Sequence, residues 1–240
     1  MNDYLNGRVC ILCTPRSGSQ LCAKIISELN SATDLGEYFE NWNRSEYQCD
    51  DKNYIVLSHT KSQDSLFEID SDYQNKIKFL SAADQTQPMT IRLFVMNHYS
   101  QQTLLSICSS LNKIGFKFVK LSRANINEQL LSYAIALSSK KIYKRNIFGI
   151  GSSLTDKIYI SPEIIDYTLK ILKPSIENFH HNVDKCLSGI TFDSVTYENI
   201  YQDLEKIYHH PFGVLDGKTI KGNPWDNILN AAQISAVLNS

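Results

Sequence analysis

The chain has 240 residues, enough for one sizeable α/β core, with 42% apolar and 20% charged residues. A formal net charge of −1 argues against a polybasic nucleic-acid binder, so any anion site has to be local. No apolar run approaches the roughly 18 residues that a membrane-spanning helix needs, and six cysteines in a chain of this length are not a disulfide framework.

The opening MNDYLNGRVC has no basic segment leading into a long apolar run, which reads as a cytoplasmic protein without a secretory signal. Arg8 to Cys13 reads as a buried strand. From Ser19 onward, Leu21, Cys22, Ile25, Ile26 and Leu29 repeat with the period of a helix. Residues 40 to 75 read as polar and irregular, with a helix then expected over Tyr73 to Ala83 and a break at Pro88. Thr90 to Met96 is a second strand, and Gln101 to Gly115 a helix ended by its glycine. Phe116 to Ser122 is a third strand, followed by a helix over Ile126 to Lys141. Pro162 opens a further helical stretch to Val183, expected to kink at Pro174. A last strand is expected within Gly189 to Val195, then a helix over Thr196 to His210, and a tail of loop plus short helix from Asp216. The strand–helix alternation predicts an α/β fold: a parallel sheet flanked by helices in a single domain spanning 1–240.

Chemistry concentrates in TPRSGSQ, Thr14 to Gln20, between the first strand and the first helix. Backbone N–H groups and the helix dipole favour an anion there, Gly18 permits close approach, and Ser17 and Ser19 add hydroxyl donors. Arg16 supplies a fixed positive charge suited to phosphate or sulfate oxygens. A Walker A loop is excluded, because the segment has neither the first glycine nor the lysine of G-x-x-x-x-G-K-[ST], and G-x-G-x-x-G is absent too. The alternative for this segment is a Ser/Gly turn carrying a surface arginine. Cys10 and Cys13 form a C-x-x-C within the strand and read as buried structural residues, with no second pair to complete a zinc site. No ligand cluster implies a metal.

TPRSGSQL resembles the 5′-phosphosulfate loop of sulfotransferases that use PAPS, 3′-phosphoadenosine-5′-phosphosulfate. FKFVKLSRANINEQLLSYAIA is similar to that family's 3′-phosphate segment. The spacing L-x-R-x-N-x-x-x-Q-x-x-S from Leu121 to Ser132, and LGEYFE from Leu35 to Glu40, most resemble the bacterial trehalose-sulfotransferase subgroup. TIRLFVM and TYENI add weaker echoes, so that the blocks follow in order over most of residues 8 to 210.

The resemblance implies a P-loop-NTPase-like sulfotransferase fold and transfer of a sulfuryl group from PAPS to a hydroxyl, with PAP as the other product and a carbohydrate or small molecule as acceptor. Arg16, Ser17, Gly18, Ser19 and Gln20 would hold the 5′-phosphosulfate, and Arg123 with Ser132 the 3′-phosphate. Arg16 stands where many relatives have a lysine; always protonated, it would stabilise charge rather than donate a proton. Glu37 matches the subgroup's general base. His98 competes for that role, its imidazole being better matched in pKa and lying at a strand end. Tyr38, Phe39 and Trp42 are either stacking surfaces or core, and the pairs His180/His181 and His209/His210 read as partly exposed. In TIKGNPW, Ile220 occupies the place of the arginine that other sulfotransferases have beside the lysine matched by Lys221. Relatives in the subgroup can dimerise, so a homodimer is an expectation; nucleic acid and membrane are not expected partners. The rivals are a P-loop-type nucleotide kinase or hydrolase, and a nucleotide-binding protein without turnover.

Overall fold

A computed structural model describes residues 7–42, 47–49, 55–57, 67–69, 71–84, 86–138, 159–209 and 230–238. The chain divides into two compact units: residues 1–43, 65–124 and 174–212 form the first, and 44–64, 125–173 and 213–240 the second.

The first unit is built on a five-stranded sheet in which every pair is parallel. β1 (Arg8–Cys13) lies at its centre, and all six residues are buried. This is why the sequence there is a continuous apolar run and not an alternation: a central parallel strand has no solvent face. Arg8, the one charge in β1, donates from Nη1 to Leu80 O at 3.0 Å and from Nη2 to Asp84 O at 2.7 Å. It thereby satisfies carbonyls at the end of α2 (Tyr73–Ala82). Truncating Leu12, fully buried on β1, would cost about 2–5 kcal/mol.

α1 (Ser19–Asn30) carries the chain to an edge strand of two residues, β2 (Thr33–Asp34). β7 (Met89–Phe94) lies between β2 and β1, and α3 (Gln101–Lys113) then leads to β8 (Phe116–Ser122) on the far side of β1. β9 (Phe192–Thr196) closes the other edge, giving the order β2-β7-β1-β8-β9. The neighbours β1 and β7 thus send their connections in opposite directions. Such a switch leaves a crevice beyond the C-terminal ends of the strands, the usual ligand position in sheets of this kind. α7 (Phe179–Cys186) packs on α3, and α8 (Ile200–Tyr208) on β9.

Two points differ from expectation. The stretch from 40 to 75 is not simply irregular: β3 (Glu40–Trp42) pairs antiparallel with β6 (Phe67–Ile69), and β4 (Tyr47–Cys49) with β5 (Ile55–Leu57). Three-residue strands are too short to leave a period in the sequence. β2 went unpredicted for the same reason. The helical stretch that Pro162 opens has its irregularity just before Pro174. It runs as α5 (Pro162–Tyr167), widens into a π turn over Thr168–Leu172, and continues as α6 (Lys173–Glu177). The Lys173 N–H reaches Thr168 O, and the wider turn accommodates a proline that has no N–H to give.

In the second unit, α4 (Ile126–Ser138) packs against α5 and the π turn. Asn230, just before α9 (Ala231–Leu238), exchanges two hydrogen bonds with the backbone of Ile160, at 3.2 and 2.8 Å. Among the described residues, no helix is long and apolar enough to cross a membrane. The α4 residues expected beyond Ser138 lie outside the described residues, as do Ile220 and Lys221.

Candidate active site

The loop after β1 is shaped by two left-handed residues, Arg16 (φ 64°) and Gly18 (φ 89°). The Ser17 N–H donates to Thr14 O at 3.3 Å and closes the turn. A left-handed arginine is sterically unfavourable, and such conformations persist only where the surroundings enforce them. Gly18 is required twice over. Its φ suits glycine, and a Cβ there would lie 2.1 Å from Cδ2 of the Tyr197 ring.

Gly18 is also the N-cap of α1, and no side chain caps that terminus. The Ser17 side chain is wholly buried, and its hydroxyl has no hydrogen-bond partner among the described residues. Buried hydroxyls are ordinarily satisfied, so this orphan is a distinctive feature of the loop. The Ser19 hydroxyl, by contrast, bonds the Cys13 thiol.

A second arginine reaches the loop from the end of β8. Arg123 donates from Nη1 to Arg16 O at 3.5 Å, and its guanidinium lies 4.7 Å from the centre of the Tyr197 ring. Its Nε is 3.9 Å from a Glu198 oxygen, while the other Glu198 oxygen accepts from the Ala124 N–H at 3.0 Å. Burial first, then the Arg123 charge, pull the Arg16 guanidinium down to about 10, against the opposite influence of Tyr197 and Glu37. Two like charges at one half-buried loop are unfavourable alone and favourable around an anion.

Opposite this basic edge, the end of β2 delivers a carboxylate. The ladder with β7 extends beyond the strand, with Leu35 N–H donating to Thr90 O at 2.9 Å and Arg92 N–H to Gly36 O at 2.8 Å. Gly36 (φ 70°) then turns the chain so that Glu37 faces Arg92, Oε1 to Nη1 at 3.3 Å. Arg92 also lies 3.9 Å from Asp34. Glu37 is near enough to Arg16 to raise its pKa. The base expected from the sequence and the cation on the phosphate-type loop therefore share one electrostatic environment.

Three residues on, Glu40 is 7% exposed. Its Oε1 accepts from the Phe94 N–H at 3.3 Å, and its Oε2 accepts from the Tyr99 hydroxyl. Burial dominates and pushes the carboxyl up to about 8, against the bonds from Tyr99 and Phe94. Phe39 is fully buried and belongs to the core, while Tyr38 packs edge-on against it at 5.4 Å.

His98 is exposed in the turn after β7, its ring edge-on to Tyr99 at 4.7 Å. Gln20 is half-buried in the first turn of α1. Ser132 is half-buried on α4, in the second unit, whereas Arg123 follows β8 in the first. His180, His181 and His209 are exposed. Trp42's side chain and His210 lie outside the described residues. Cys10 and Cys13 are buried, and burial pushes the Cys13 thiol up to about 12, so neither is a nucleophile at neutral pH. Among the described residues, no group of three His, Cys, Asp or Glu side chains is placed to hold a metal ion.

Sequence reasoning missed Arg92, Glu40, Tyr99, Tyr197 and Glu198 as members of this edge. Arg92 left one usable signal: it is the single charge inside the otherwise apolar TIRLFVM. No family model matches the chain, and no curated protein matches it.

Proposed function

We propose that the protein is a sulfotransferase that moves a sulfuryl group from PAPS to a hydroxyl, with carbohydrate as the acceptor class. The observation that carries this reading is the loop after β1: two guanidinium groups, an orphaned buried hydroxyl and an uncapped helix N-terminus, with a carboxylate across from them. The strand order, with its switch point beside that loop, is compatible with the P-loop-like fold that the motifs imply.

The donor supplies an activated sulfuryl group, and the chain supplies placement and charge. Glu37 accepts the proton of the acceptor hydroxyl as its oxygen bonds to sulfur. The bond from sulfur to the 5′-phosphate oxygen breaks, and Arg16 stabilises the negative charge left on that oxygen. Arg16, Ser17 and the first N–H groups of α1 hold the 5′ end, and Arg123 the 3′-phosphate. Positioning and electrostatics carry the rate, as in phosphoryl transfer.

Calorimetric titration with PAP, ATP and GTP tests the donor class, followed by turnover of PAPS over a panel of sugar acceptors. PAP is expected to bind far more tightly than ATP or GTP, and Arg16→Ala to weaken it. Preference for ATP would favour the kinase or hydrolase reading, and tight PAP binding without turnover on any acceptor the binding-protein reading.

A further inference from the structure

We propose that Glu40 is a positioning residue for Glu37, its buried carboxyl locking the turn on which Glu37 stands. The inference rests on the reading of Glu37 as the base. Its geometry is independent of any ligand. The Glu40 N–H donates to Glu37 O at 3.2 Å, so the two residues close one turn. Both Glu40 oxygens are engaged, one by the β7 backbone at Phe94 and one by Tyr99. The two residues between Glu37 and Glu40 are pinned too: Lys76 Nζ donates to Tyr38 O at 2.9 Å, and Phe39 is fully buried. Glu37 itself is met by Arg92. Every residue from Glu37 to Glu40 is therefore fastened, and Glu40 is the most deeply buried polar anchor of the four.

The charged and titratable groups around Glu40 come from four directions. Glu37 shares its turn, Lys76 comes from α2, Cys13 ends β1, and Tyr99 follows β7 with His98 edge-on to its ring. Arg92 is occupied by Glu37 and Asp34, and Cys13 is a neutral thiol. Lys76 favours the ionised carboxylate, while burial and the Glu37 charge oppose it, and burial is the largest influence. The Glu40 carboxyl is accordingly raised to about 8, which favours its neutral form at pH 7. Ionising Glu40 would bury a second negative charge beside the first and strain the turn.

Two arms test this. In urea unfolding from about pH 5 to about pH 9, folded Glu40 holds a proton that the unfolded chain has released, so stability falls with rising pH up to about 8 and then levels. Glu40→Gln, which keeps the shape and the bonds, should remove that fall, and parallel curves for wild type and variant would overturn the proposal. In turnover at pH 7, Glu40→Gln should stay within about twofold of wild type, while Glu40→Ala loses roughly 10-fold or more in kcat with the donor KM unchanged. Above pH 8 the wild-type kcat should decline and that of Glu40→Gln should not. If glutamine is as damaging as alanine, a neutral carboxyl is not what the turn requires. If the wild type neither binds PAP nor transfers sulfuryl, the proposed function falls instead. The unfolding arm still decides the protonation of Glu40 in that case.

Discussion

The C-terminal edge of the sheet has two sides that handle buried charge in opposite ways. On the basic side, Arg16 and Arg123 stand together, and the Ser17 hydroxyl below them has no partner among the described residues. On the acidic side, Arg92 is divided between Asp34 and Glu37, and Glu40 is satisfied by Tyr99 and the Phe94 amide. Positive charge gathers on the first side, whereas the second pairs its acidic groups internally. The basic side should therefore report on the ligand, and the acidic side on protons. Variants on the two sides should have separable consequences.

The largest expected effect breaks the chemistry while sparing the basic side. Glu37→Gln should lower kcat by roughly 10²-fold or more, since that is what a positioned general base contributes. PAP affinity, measured by calorimetry, should remain close to wild type. If this variant is near wild type and His98→Ala is inactive, the base is His98 and the acidic side is only structural.

Next in size is the reading of the 3′-phosphate. A charge-assisted bond from arginine to phosphate contributes about 1.5–3 kcal/mol. Arg123→Ala should weaken PAP roughly 10- to 100-fold. It should hardly change the binding of the analogue without the 3′-phosphate, and a cycle of residue against ligand phosphate isolates the contact. Arg123 also touches Arg16 O and Tyr197, so equal losses for both ligands would mean that it holds the loop and not the 3′-phosphate.

A smaller effect is expected in stability. Gly18→Ala would place a methyl 2.1 Å from Tyr197 at a φ of 89°. Strain of that kind costs about 1–3 kcal/mol, and the ring must also move from the loop. A lowered unfolding midpoint together with weaker PAP binding is expected. Unchanged values for both would mean that the loop is not set by this contact.

How much of this was legible follows from how far apart the partners lie in the chain. β1 matches its predicted bounds because a buried parallel strand is a nearly continuous apolar run, β8 because its apolar residues recur between Gly115 and Arg123, and α1 starts where its period begins. Arg16, Glu37 and Arg123 were found because each sits inside a short local motif. Arg92 is 55 residues from Glu37, and Tyr99 is 59 from Glu40. No local pattern encodes those pairings; only the β2–β7 ladder creates them. Glu40 was quoted within LGEYFE but its burial was invisible, because a glutamate gives no sign in sequence of having been sealed under Tyr99.

The smallest effect sharpens the separation of the two sides. Lys76 is half-buried on α2, and its ammonium favours the charged form of Glu40, the weakest of the influences acting on that carboxyl. Lys76→Met removes this influence, so folded Glu40 should hold its proton to slightly higher pH. Folding takes up that proton, so the pH range over which stability declines should extend upward by a fraction of a unit. The bond from Lys76 to Tyr38 O is lost as well, but that loss lowers stability equally at every pH and leaves the levelling point alone. Urea midpoints followed through the decline separate the two consequences, one as a vertical offset and the other as a shift along the pH axis. PAP affinity should not change, because Lys76 meets the acidic side through Tyr38 and Glu40. A levelling point moved downward would reverse the sign argued for Lys76. A roughly 10-fold loss of PAP affinity would show that the acidic turn and the basic loop are one unit, joined through the influence of Glu37 on Arg16.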